Sequence, residues 1–415
     1  PNKDLSNWFS KLTNFFVRKF NYESNFTNNN LGHIHKTFYE LAERKFNIDS
    51  PLNIMKFRNI INLAFEWVEV MSSSKSQFQN FLVKTRTVVC GTCVGIARLH
   101  YGINENIYDL VVIDEASRAS SSELAIAMSI GRKIVLVGDH KQLPPQYDPD
   151  HIKAVSDKTG INDLELKTSD FERSFLSSYG RKIGLTLSTQ YRMAPAIGDL
   201  ISTCFYDSML NTGRGDAIES VNNLDDELGS TVTWYDTSNA NSYERKPRGK
   251  NRNLNSWENE YEANTIIGLI KRISEVKELS DFLKPTETPQ IGVICMYKEQ
   301  VKLIREKLMR IQWLRNLEDD GVLKIDTVDS YQGKENSIII VSLVRNNENL
   351  NVGFLKHESR INVALSRAKE RLYVIGSTKM WSTKNNALPL GKVFTHIHNN
   401  ESDEYSIIDS RMLET

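Results

Sequence analysis

The chain has 415 residues, 40% of them hydrophobic, with 52 basic and 52 acidic side chains. This length accommodates two or three globular domains, and the balanced charge argues against a protein that coats nucleic acid through overall basicity, while leaving room for a local basic groove. No apolar run approaches the roughly 20 residues of a membrane-spanning helix, and no signal peptide is visible, so we expect no membrane partner and a cytoplasmic location. Frequent Asn and Lys indicate an AT-rich genome and a bacterial or phage-related source.

The first 84 residues are predicted to be helical. Apolar side chains recur at helical spacing between Trp8 and Phe16 and again between Phe57 and Val68. Breaks are expected at Asn28 to Asn30 and at Asp49 to Pro51. We interpret residues 1–84 as a helical subdomain whose aromatic side chains form its core.

The next segment, TRTVVCGTCVGIAR at 85–98, predicts a strand from Thr87 to Cys90 followed by a turn flanked by glycines. Glycines permit a close approach of the backbone to a ligand, and the Thr92 hydroxyl can donate to a phosphate there. Cys90 and Cys93 form a CxxC pair, but no second pair accompanies it, so we interpret them as small residues at a strand end. The sparse cysteines indicate a reducing compartment.

Two apolar runs in residues 111–146 each end in an acidic turn. Val111 to Ile113 lead into Asp114 and Glu115, and Ile134 to Val137 lead into the sequence GDHKQLPPQ. We expect buried parallel strands joined by a helix, with the chemistry at their carboxyl ends. The first carboxylate can hold Mg²⁺ through water, and the second can take a proton from an attacking water. Acidic strand ends also serve solubility, but Gly, Asp and Gln in the second turn favour a phosphate-sensing role.

Beyond these runs, a helix is predicted near Phe171 to Tyr179 and ends at Gly180. A strand over Ile183 to Leu187 leads into the sequence QYR, and a helix starts near Pro195. Residues 207–256 are predicted to be a poorly packed loop or small insertion. Its basic run, KPRGKNR at 246–252, is either simply solvated or in contact with nucleic acid.

The last third alternates buried strands with helices. A helix is predicted over 257–275, a strand over 290–296, and a second strand over Ile338 to Val341. Before that last strand, the loop VDSYQGKE contains Gly333, which allows a tight turn. The sequence INVALSRAKERLYVIG starts at Ile361, and the polar residues 384–415 are predicted to be a tail or the start of another domain.

These motifs together resemble a known family. DEAS and GDHKQLPP, followed in order by QYRMAP, VDSYQGKE and NVALSRA, resemble motifs II to VI of superfamily 1 helicases, in the branch of the nonsense-mediated-decay helicase and senataxin. The resemblance implies an α/β fold with two RecA-like parallel-sheet domains and a helical insertion in the first. The boundaries become 1–84 for the insertion, 85–184 for the rest of the first RecA-like domain, 185–383 for the second, and 384–415 for the tail.

The resemblance also implies roles for individual residues. Catalysis would use residues on both sides of an ATP cleft: Asp114 (also the metal ligand), Glu115 and Gln142 on one side, Arg192 and Arg367 on the other. Arg367 would be the finger that neutralises charge on the γ-phosphate, an effect of about 10³ to 10⁵ in rate. The nucleotide would contact Tyr191 through its adenine, Glu335 through its ribose, and also Glu262 and Gly333. A single strand would contact Thr92, Ser330 and Gln332.

One family motif is missing from the printed sequence. No G-x-x-x-x-G-K-[ST] occurs, so the phosphate cradle and its lysine are not present in these residues. In this family the cradle follows a strand in the middle of the first sheet, and without that strand its neighbours have unpaired edges. We therefore expect a first sheet that is incomplete at its N-terminus, with an upstream segment or a partner chain supplying the cradle.

The predicted function is that of an ATP-dependent helicase or translocase with ATP and Mg²⁺ as cofactors and single-stranded nucleic acid as partner. The 5′-to-3′ direction comes from the resemblance alone. This chain on its own is expected to be inactive because the cradle is missing. Two alternatives stay open: a helicase-like scaffold that grips nucleic acid without turnover, and the motor of a nuclease or defence assembly. Backbone-reading motifs do not distinguish DNA from RNA.

Overall fold

A computed structural model describes residues 3–23, 31–72, 75–98, 102–216, 228–247, 256–276, 283–286, 288–331 and 333–413. The chain divides into two compact units. The first comprises residues 1–111 and 126–133, and the second comprises residues 112–125 and 134–415. In the described part of the chain, no helix has the length and apolar character needed to cross a membrane.

The first unit is mainly helical, as predicted for residues 1–84. Phe16 is 1% exposed, and the rings of Phe20 and Phe38 pack on it at centroid distances of 5.8 and 6.4 Å. The predicted break at Asp49 to Pro51 is confirmed, whereas the one at Asn28 to Asn30 lies outside the described residues. The helices are α1 (Lys3–Phe20), α2 (Leu31–Lys45), α3 (Pro51–Ser72), α4 (Lys75–Thr85) and the short α5 (Cys93–Ile96).

One prediction for this unit holds only in part, and another is wrong. The aromatic side chains were expected to form the core, and Phe16 is buried, but Phe15 and Phe65 are 42% and 43% exposed. Residues Thr87 to Cys90 form no strand, and Cys90 is exposed. Helical periodicity identifies an apolar face but not what covers it, and an apolar run becomes a strand only where a partner strand pairs with it.

The predicted strand–helix–strand element is present as β1 (Val111–Ile113), α6 (Ser121–Met128) and β2 (Ile134–Leu136). The backbone bonds Val111 N to Lys133 O and Val137 N to Ile113 O advance in the same direction, so the strands are parallel. Among the described strands this sheet contains only these two, and the incompleteness of the first sheet stays a prediction. Their predicted full burial is wrong, because Val112 and Val135 are 56% and 45% exposed.

A helical stretch follows, and its ends are set by local chemistry. Asp148 caps α7 by accepting from Asp150 N at 2.8 Å, and Gly160 ends this helix with a φ of 70°. Gly180 starts a helix instead of ending one, and the predicted strand over Ile183 to Leu187 is absent. The elements are α7 (Pro149–Thr159), α8 (Asp163–Lys167), α9 (Asp170–Leu176), α10 (Gly180–Ile183), β3 (Thr189–Gln190), α11 (Pro195–Phe205) and β4 (Asn211–Thr212).

The main sheet has six strands, all parallel, in the order β10-β5-β9-β8-β6-β7. Its central strands are the continuous apolar runs of the sequence, as expected of a parallel sheet covered on both faces. The strands are β5 (Val232–Asp236), β6 (Ile291–Cys295), β7 (Leu323–Thr327), β8 (Asn336–Ser342), β9 (Ala368–Gly376) and β10 (Tyr405–Asp409).

Helices cover both faces of this sheet. One face packs on α11, α15 (Glu358–Leu365) and α16 (Pro389–Asn399). The other packs on α12 (Glu260–Glu275), α13 (Lys298–Leu308) and α14 (Gln312–Asp319). Helix α12 buries Ile266, Leu269, Ile270 and Ile273, the spacing of one helical face. The predicted α/β fold with a parallel sheet is thus confirmed.

Two predicted boundaries require correction. Residues 207–256 were expected to be a loop or small insertion, yet they contain β5, which pairs with β9 and β10. Residues 384–415 were expected to be a tail or the start of another domain, yet they contain α16 and β10 of the same sheet. The main sheet therefore continues past residue 383, the predicted end of the second RecA-like domain.

Candidate active site

The acidic pair lies just after β1, as predicted. Both Asp114 and Glu115 are exposed. Asp114 Oδ1 accepts a hydrogen bond from Glu115 N at 2.9 Å, and Ala116 N donates to Val137 O at 2.9 Å. Glu115 has a φ of 52°, in the left-handed region that costs a non-glycine residue about 1 kcal/mol or more. The chain holds this strained bend at the carboxyl end of the strand, where both carboxylates face solvent.

Asp139 organises the turn that follows β2. Its Oδ1 accepts Lys141 N at 2.9 Å, and its Oδ2 accepts Gln142 Nε2 at 2.9 Å. Gly138 allows the turn to pass close to the end of β1, because a Cβ at this position would lie 2.9 Å from Ser117 N. The Gln142 side chain is therefore fixed by Asp139, a role that the sequence analysis missed.

Gln142 and Arg367, two predicted catalytic residues far apart in sequence, are in direct contact. Arg367 Nη2 donates to Gln142 Oε1 at 3.1 Å. The guanidinium is also held by Val363 O, 3.1 Å from Nε, and by Lys334 O, 3.4 Å from Nη1. Arg367 is 2% exposed, so these bonds satisfy a buried cation.

The charge on Arg367 depends on its surroundings. Burial and the positive charge of Arg192 together lower the pKa of Arg367 to about 10, although the negative charge of Glu115 acts to raise it. A pKa near 10 leaves the guanidinium charged at neutral pH.

Arg192 and Glu335 form an ion pair within the same site. Arg192 Nε lies 2.5 Å from Glu335 Oε2, and Lys369 Nζ lies 2.6 Å from the other carboxylate oxygen. Burial acts to raise the pKa of Glu335, but Lys369 and Arg192 outweigh it and hold that pKa below its usual value. Gln190 fixes the backbone here, because its Oε1 accepts Arg192 N and Met193 N at 2.9 and 2.7 Å.

A second arginine, Arg214, holds the backbone of Arg192 in place. Arg214 Nη1 donates to Arg192 O at 2.7 Å, and Arg214 Nη2 lies 3.0 Å from each carboxylate oxygen of Glu370. Glu370 is 4% exposed, so the pair is largely removed from water. The sequence analysis missed Arg214, which lies in the stretch predicted to be a poorly packed loop.

Tyr191 and Gly333 are both accessible at the site. Tyr191 is 71% exposed, and its ring lies against the backbone of Gly213, where a Cβ would come within 2.4 Å of the ring. Gly333 has a φ of 75°, and a Cβ there would meet no atom within 4 Å. The tight turn predicted at Gly333 is thus present, and Tyr191 has the exposed ring that an adenine stack requires.

Glu262 does not belong to this site, and its predicted contact with the nucleotide is wrong. The side chain is fully buried. Its Oε2 accepts Ser342 Oγ at 2.7 Å, and both of its oxygens accept Val344 N, at 2.8 and 3.0 Å. Val344 has a φ of 72°, which is strained for a β-branched residue. Glu262 therefore stabilises the turn after β8, and burial raises the pKa of its carboxyl to about 8.

The three residues predicted to contact nucleic acid are Thr92, Ser330 and Gln332, and the structure describes two of them. Ser330 is exposed, and its Oγ accepts from Thr327 Oγ1 at 3.3 Å. Thr92 lies in the first unit and caps α5, where its Oγ1 accepts Gly95 N at 3.0 Å. Gln332 lies outside the described residues, as do residues 248–252 of the basic run. Strand contacts by Thr92, Ser330 and Gln332 stay predictions.

The comparisons with known proteins agree with this geometry. Two family models, each described as an AAA domain, match residues 166–379 and 23–148. The DNA replication ATP-dependent helicase/nuclease DNA2 of Mus musculus is 30% identical over 328 residues, 76% of this chain and 29% of its own length. The ATP-dependent helicase NAM7 of Saccharomyces cerevisiae is 31% identical over 334 residues, 78% of this chain and 31% of its own length.

A third relative, the DNA polymerase alpha-associated DNA helicase A of Saccharomyces cerevisiae, is 34% identical over 295 residues, 67% of this chain and 39% of its own length. The chain thus spans less than two fifths of each of these relatives. A solved structure of the arterivirus nonstructural protein 10 helicase with DNA aligns with 65% of this chain and 40% of that chain, at 15% identity and a TM-score of 0.29, too low to carry an argument. The first family model alone matches just over half of the chain. The chain belongs to the AAA-domain helicases of superfamily 1, in the branch of the nonsense-mediated-decay helicase.

Proposed function

We propose that the protein containing this chain is an ATP-dependent helicase or translocase that hydrolyses ATP at the site built from Asp114, Glu115, Gln142, Arg192 and Arg367. The observation that carries the proposal is the hydrogen bond between Gln142 and Arg367, which joins the turn after β2 to the end of α15. A buried, charged arginine hydrogen-bonded to Gln142, in a protein with an exposed acidic pair at the end of β1, suits phosphoryl transfer, where catalysis is mainly positioning and charge stabilisation.

The two arginines would have different tasks. Arg367 is fixed by three hydrogen bonds, so it would stabilise negative charge on the transferred phosphate without further reorganisation. Arg192 is 39% exposed in its side chain and paired with Glu335, so it would exchange this carboxylate for a phosphate when nucleotide binds. Glu335 would keep Lys369 as a partner while its other oxygen turns to the ribose.

The acidic pair fits a magnesium–nucleotide complex. The described residues contain no group of three or more His, Cys, Asp or Glu side chains that could hold a metal ion. Asp114 is exposed with one oxygen engaged by Glu115 N, and a single carboxylate suits Mg²⁺, which keeps several waters and takes other ligands from phosphates. The ion, when bound, would neutralise phosphate charge. Glu115 would accept the proton of the attacking water.

The adenine would stack on Tyr191, and the single strand would contact the exposed Ser330 together with Thr92 and Gln332. Gln142 would couple hydrolysis to strand movement, because its side chain is hydrogen-bonded to both Asp139 and Arg367. Contacts to the sugar–phosphate backbone leave DNA and RNA equally suitable as the strand. Movement in the 5′-to-3′ direction follows the family resemblance.

The test is ATP hydrolysis by the protein that carries residues 1–415, measured without nucleic acid, with single-stranded DNA and with single-stranded RNA. We expect one of the strands to stimulate turnover, and Arg367→Ala to lower kcat by about 10³-fold or more. Arg315→Ala is the matched control, because the Arg315 side chain is 54% exposed and forms an ion pair with the exposed Asp319. Strand binding without turnover in the wild type would replace the proposal with the scaffold reading.

A further inference from the structure

A tyrosine outside all the sequence motifs lies at the centre of the site. Tyr206 follows α11, and its hydroxyl donates to Asp139 Oδ2 at 2.5 Å. The same hydroxyl accepts from Asn362 Nδ2 at 2.9 Å. The phenol thus joins the turn after β2 to α15, the helix that ends just before Arg367.

The carboxylate oxygen that Tyr206 contacts also fixes Gln142. Asp139 Oδ2 accepts Gln142 Nε2 at 2.9 Å, and Gln142 Oε1 in turn accepts Arg367 Nη2 at 3.1 Å. Four side chains are therefore hydrogen-bonded in series from Tyr206 to Arg367. Lys141 N holds Oδ1 of Asp139, whereas Tyr206 and Gln142 share Oδ2. Loss of the phenol hydroxyl therefore removes a bond that orients the oxygen on which Gln142 depends, and weakens the hold on the Gln142 side chain.

Asn362 is placed for these bonds and not for packing. It is fully buried, and its Nδ2 also donates to Lys141 O at 3.0 Å, within the turn that contains Gln142. Its Oδ1 is buried with no hydrogen-bond partner in the described part of the chain, which is costly for an amide. A buried amide that accepts this cost while binding Lys141 O and Tyr206 indicates that its geometry serves the site.

We propose that Tyr206 is a positioning residue for ATP hydrolysis, which holds Gln142 against Arg367 through Asp139 while Asn362 holds Tyr206 in place. This inference rests on the proposed function for the reaction, but the arrangement itself concerns residues of this chain alone. The phenol acts as a neutral donor: burial and the charge of Asp139 raise the pKa of Tyr206 above its usual value. Its effect is therefore constant across the neutral pH range.

The first test compares Tyr206→Phe with Tyr179→Phe in the protein that carries residues 1–415. Tyr179 is 70% exposed, so its variant makes the same chemical change away from the site. With the stimulating strand present, Tyr206→Phe should lower kcat by about tenfold to a hundredfold, the equivalent of a hydrogen bond to a charged group, with little change in KM for ATP. Tyr179→Phe should leave both constants unchanged. Wild-type kcat in Tyr206→Phe would overturn the proposal.

A double variant separates positioning from general destabilisation. If Tyr206 acts through Gln142, Tyr206→Phe combined with Gln142→Ala should be no slower than Gln142→Ala alone. If the two losses multiply, Tyr206 does not act through Gln142 and the proposal is wrong. Melting temperatures of the variants identify any loss that comes from unfolding instead.

A readout without hydrolysis keeps this inference separate from the proposed function. The Arg367 Nε–H resonance can be identified by NMR through its disappearance in Arg367→Lys. We expect Tyr206→Phe to shift this resonance and Tyr179→Phe to leave it in place. If the wild type hydrolyses no ATP but the shift appears, the proposed function fails and the positioning holds. If the resonance does not move, the positioning fails whether or not ATP is hydrolysed.

Discussion

Glu262 gives the sharpest quantitative prediction. The pKa of its buried carboxyl is about 8, against 4.5 for the same group in an unfolded chain. Between these values the folded protein retains a proton that the unfolded chain has lost. The buried carboxyl should therefore make its full contribution to the free energy of unfolding below about pH 4.5. Between about pH 4.5 and pH 8, the free energy of unfolding should fall by about 1.4 kcal/mol per pH unit. Glu262→Gln retains an acceptor for Val344 N and cannot ionise, so it should remove this slope.

The measurement is urea unfolding of the wild type and Glu262→Gln at about pH 5.5, 6.5 and 7.5. Relative to the variant, the wild type should lose about 3 kcal/mol over this range, as one proton over two pH units requires. Glu260→Gln is the matched control on the first turn of the same helix. Lys307 and Arg245 hold the pKa of Glu260 below its usual value, so this carboxyl titrates below the range measured.

Parallel curves for the wild type and Glu262→Gln would refute the reasoning. They would mean that the carboxylate stays ionised in the fold, stabilised by Ser342 Oγ and Val344 N against the cost of burial. A second result bears on the corrected role of this residue. Because Glu262 is fully buried away from the nucleotide groups, Glu262→Gln should leave the affinity for ATP unchanged.

Three further predictions concern the active site. Arg214→Ala removes two charged hydrogen bonds to the buried Glu370, so it should lower the free energy of unfolding by about 2 to 3 kcal/mol in chemical denaturation. Arg214→Lys keeps a positive charge beside Glu370 and should therefore lose less stability. Tyr191→Ala should weaken binding of a fluorescent ATP analogue by about tenfold, because an aromatic stack is lost. The melting temperature should not change, since the side chain is 71% exposed. An equal loss of affinity in Tyr191→Phe, which keeps the ring, would contradict stacking. Gly138→Ala places a methyl 2.9 Å from Ser117 N, so it should cost about 1 to 3 kcal/mol in urea unfolding and slow ATP hydrolysis; wild-type behaviour would mean that the turn relaxes freely.

The sequence predicted best where local pattern and tertiary role coincide. The apolar runs at 290–296 and 338–341 became β6 and β8 because a strand buried on both faces needs no alternation. The motifs also predicted four site residues that the structure joins in two pairs, Arg367 with Gln142 and Arg192 with Glu335. Glu335 and Arg367 lie close together because they directly precede the neighbouring parallel strands β8 and β9, at the same edge of the main sheet.

The failures came where pairing over long distances decides the outcome. The strand β5 has five residues inside a long polar stretch, and its stability depends on β9 and β10. Conversely, the apolar residues Leu185 and Leu187 have strand-like composition, yet they are 90% and 85% exposed and pair with no described strand. Composition in a window reports on local preference, whereas a strand exists only through its neighbours.

Two side chains show why site roles were the hardest to predict. Glu262 follows the helix cap Asn259 and looked like a nucleotide contact, but its partner is the left-handed Val344, whose conformation no local pattern reveals. Tyr206 belongs to no recognised motif, and it follows a helix most of whose residues are buried. Its hydroxyl becomes informative only once Asp139 and Asn362 lie beside it, 67 and 156 residues away in sequence.

The strand order of the main sheet has a consequence for biosynthesis. Strand β5 lies between β9 and β10, and these partners are synthesised only after about 140 and about 170 further residues, respectively. At a synthesis rate of about 5 to 20 residues per second, both edges of β5 stay unpaired for roughly 7 to 28 seconds before β9 is complete. Its residues Val232, Trp234 and Tyr235 end fully buried, so during that interval a nascent chain displays an aggregation-prone strand. Expression of this protein should therefore benefit from slower synthesis at low temperature or from chaperones that shield such segments until the sheet closes.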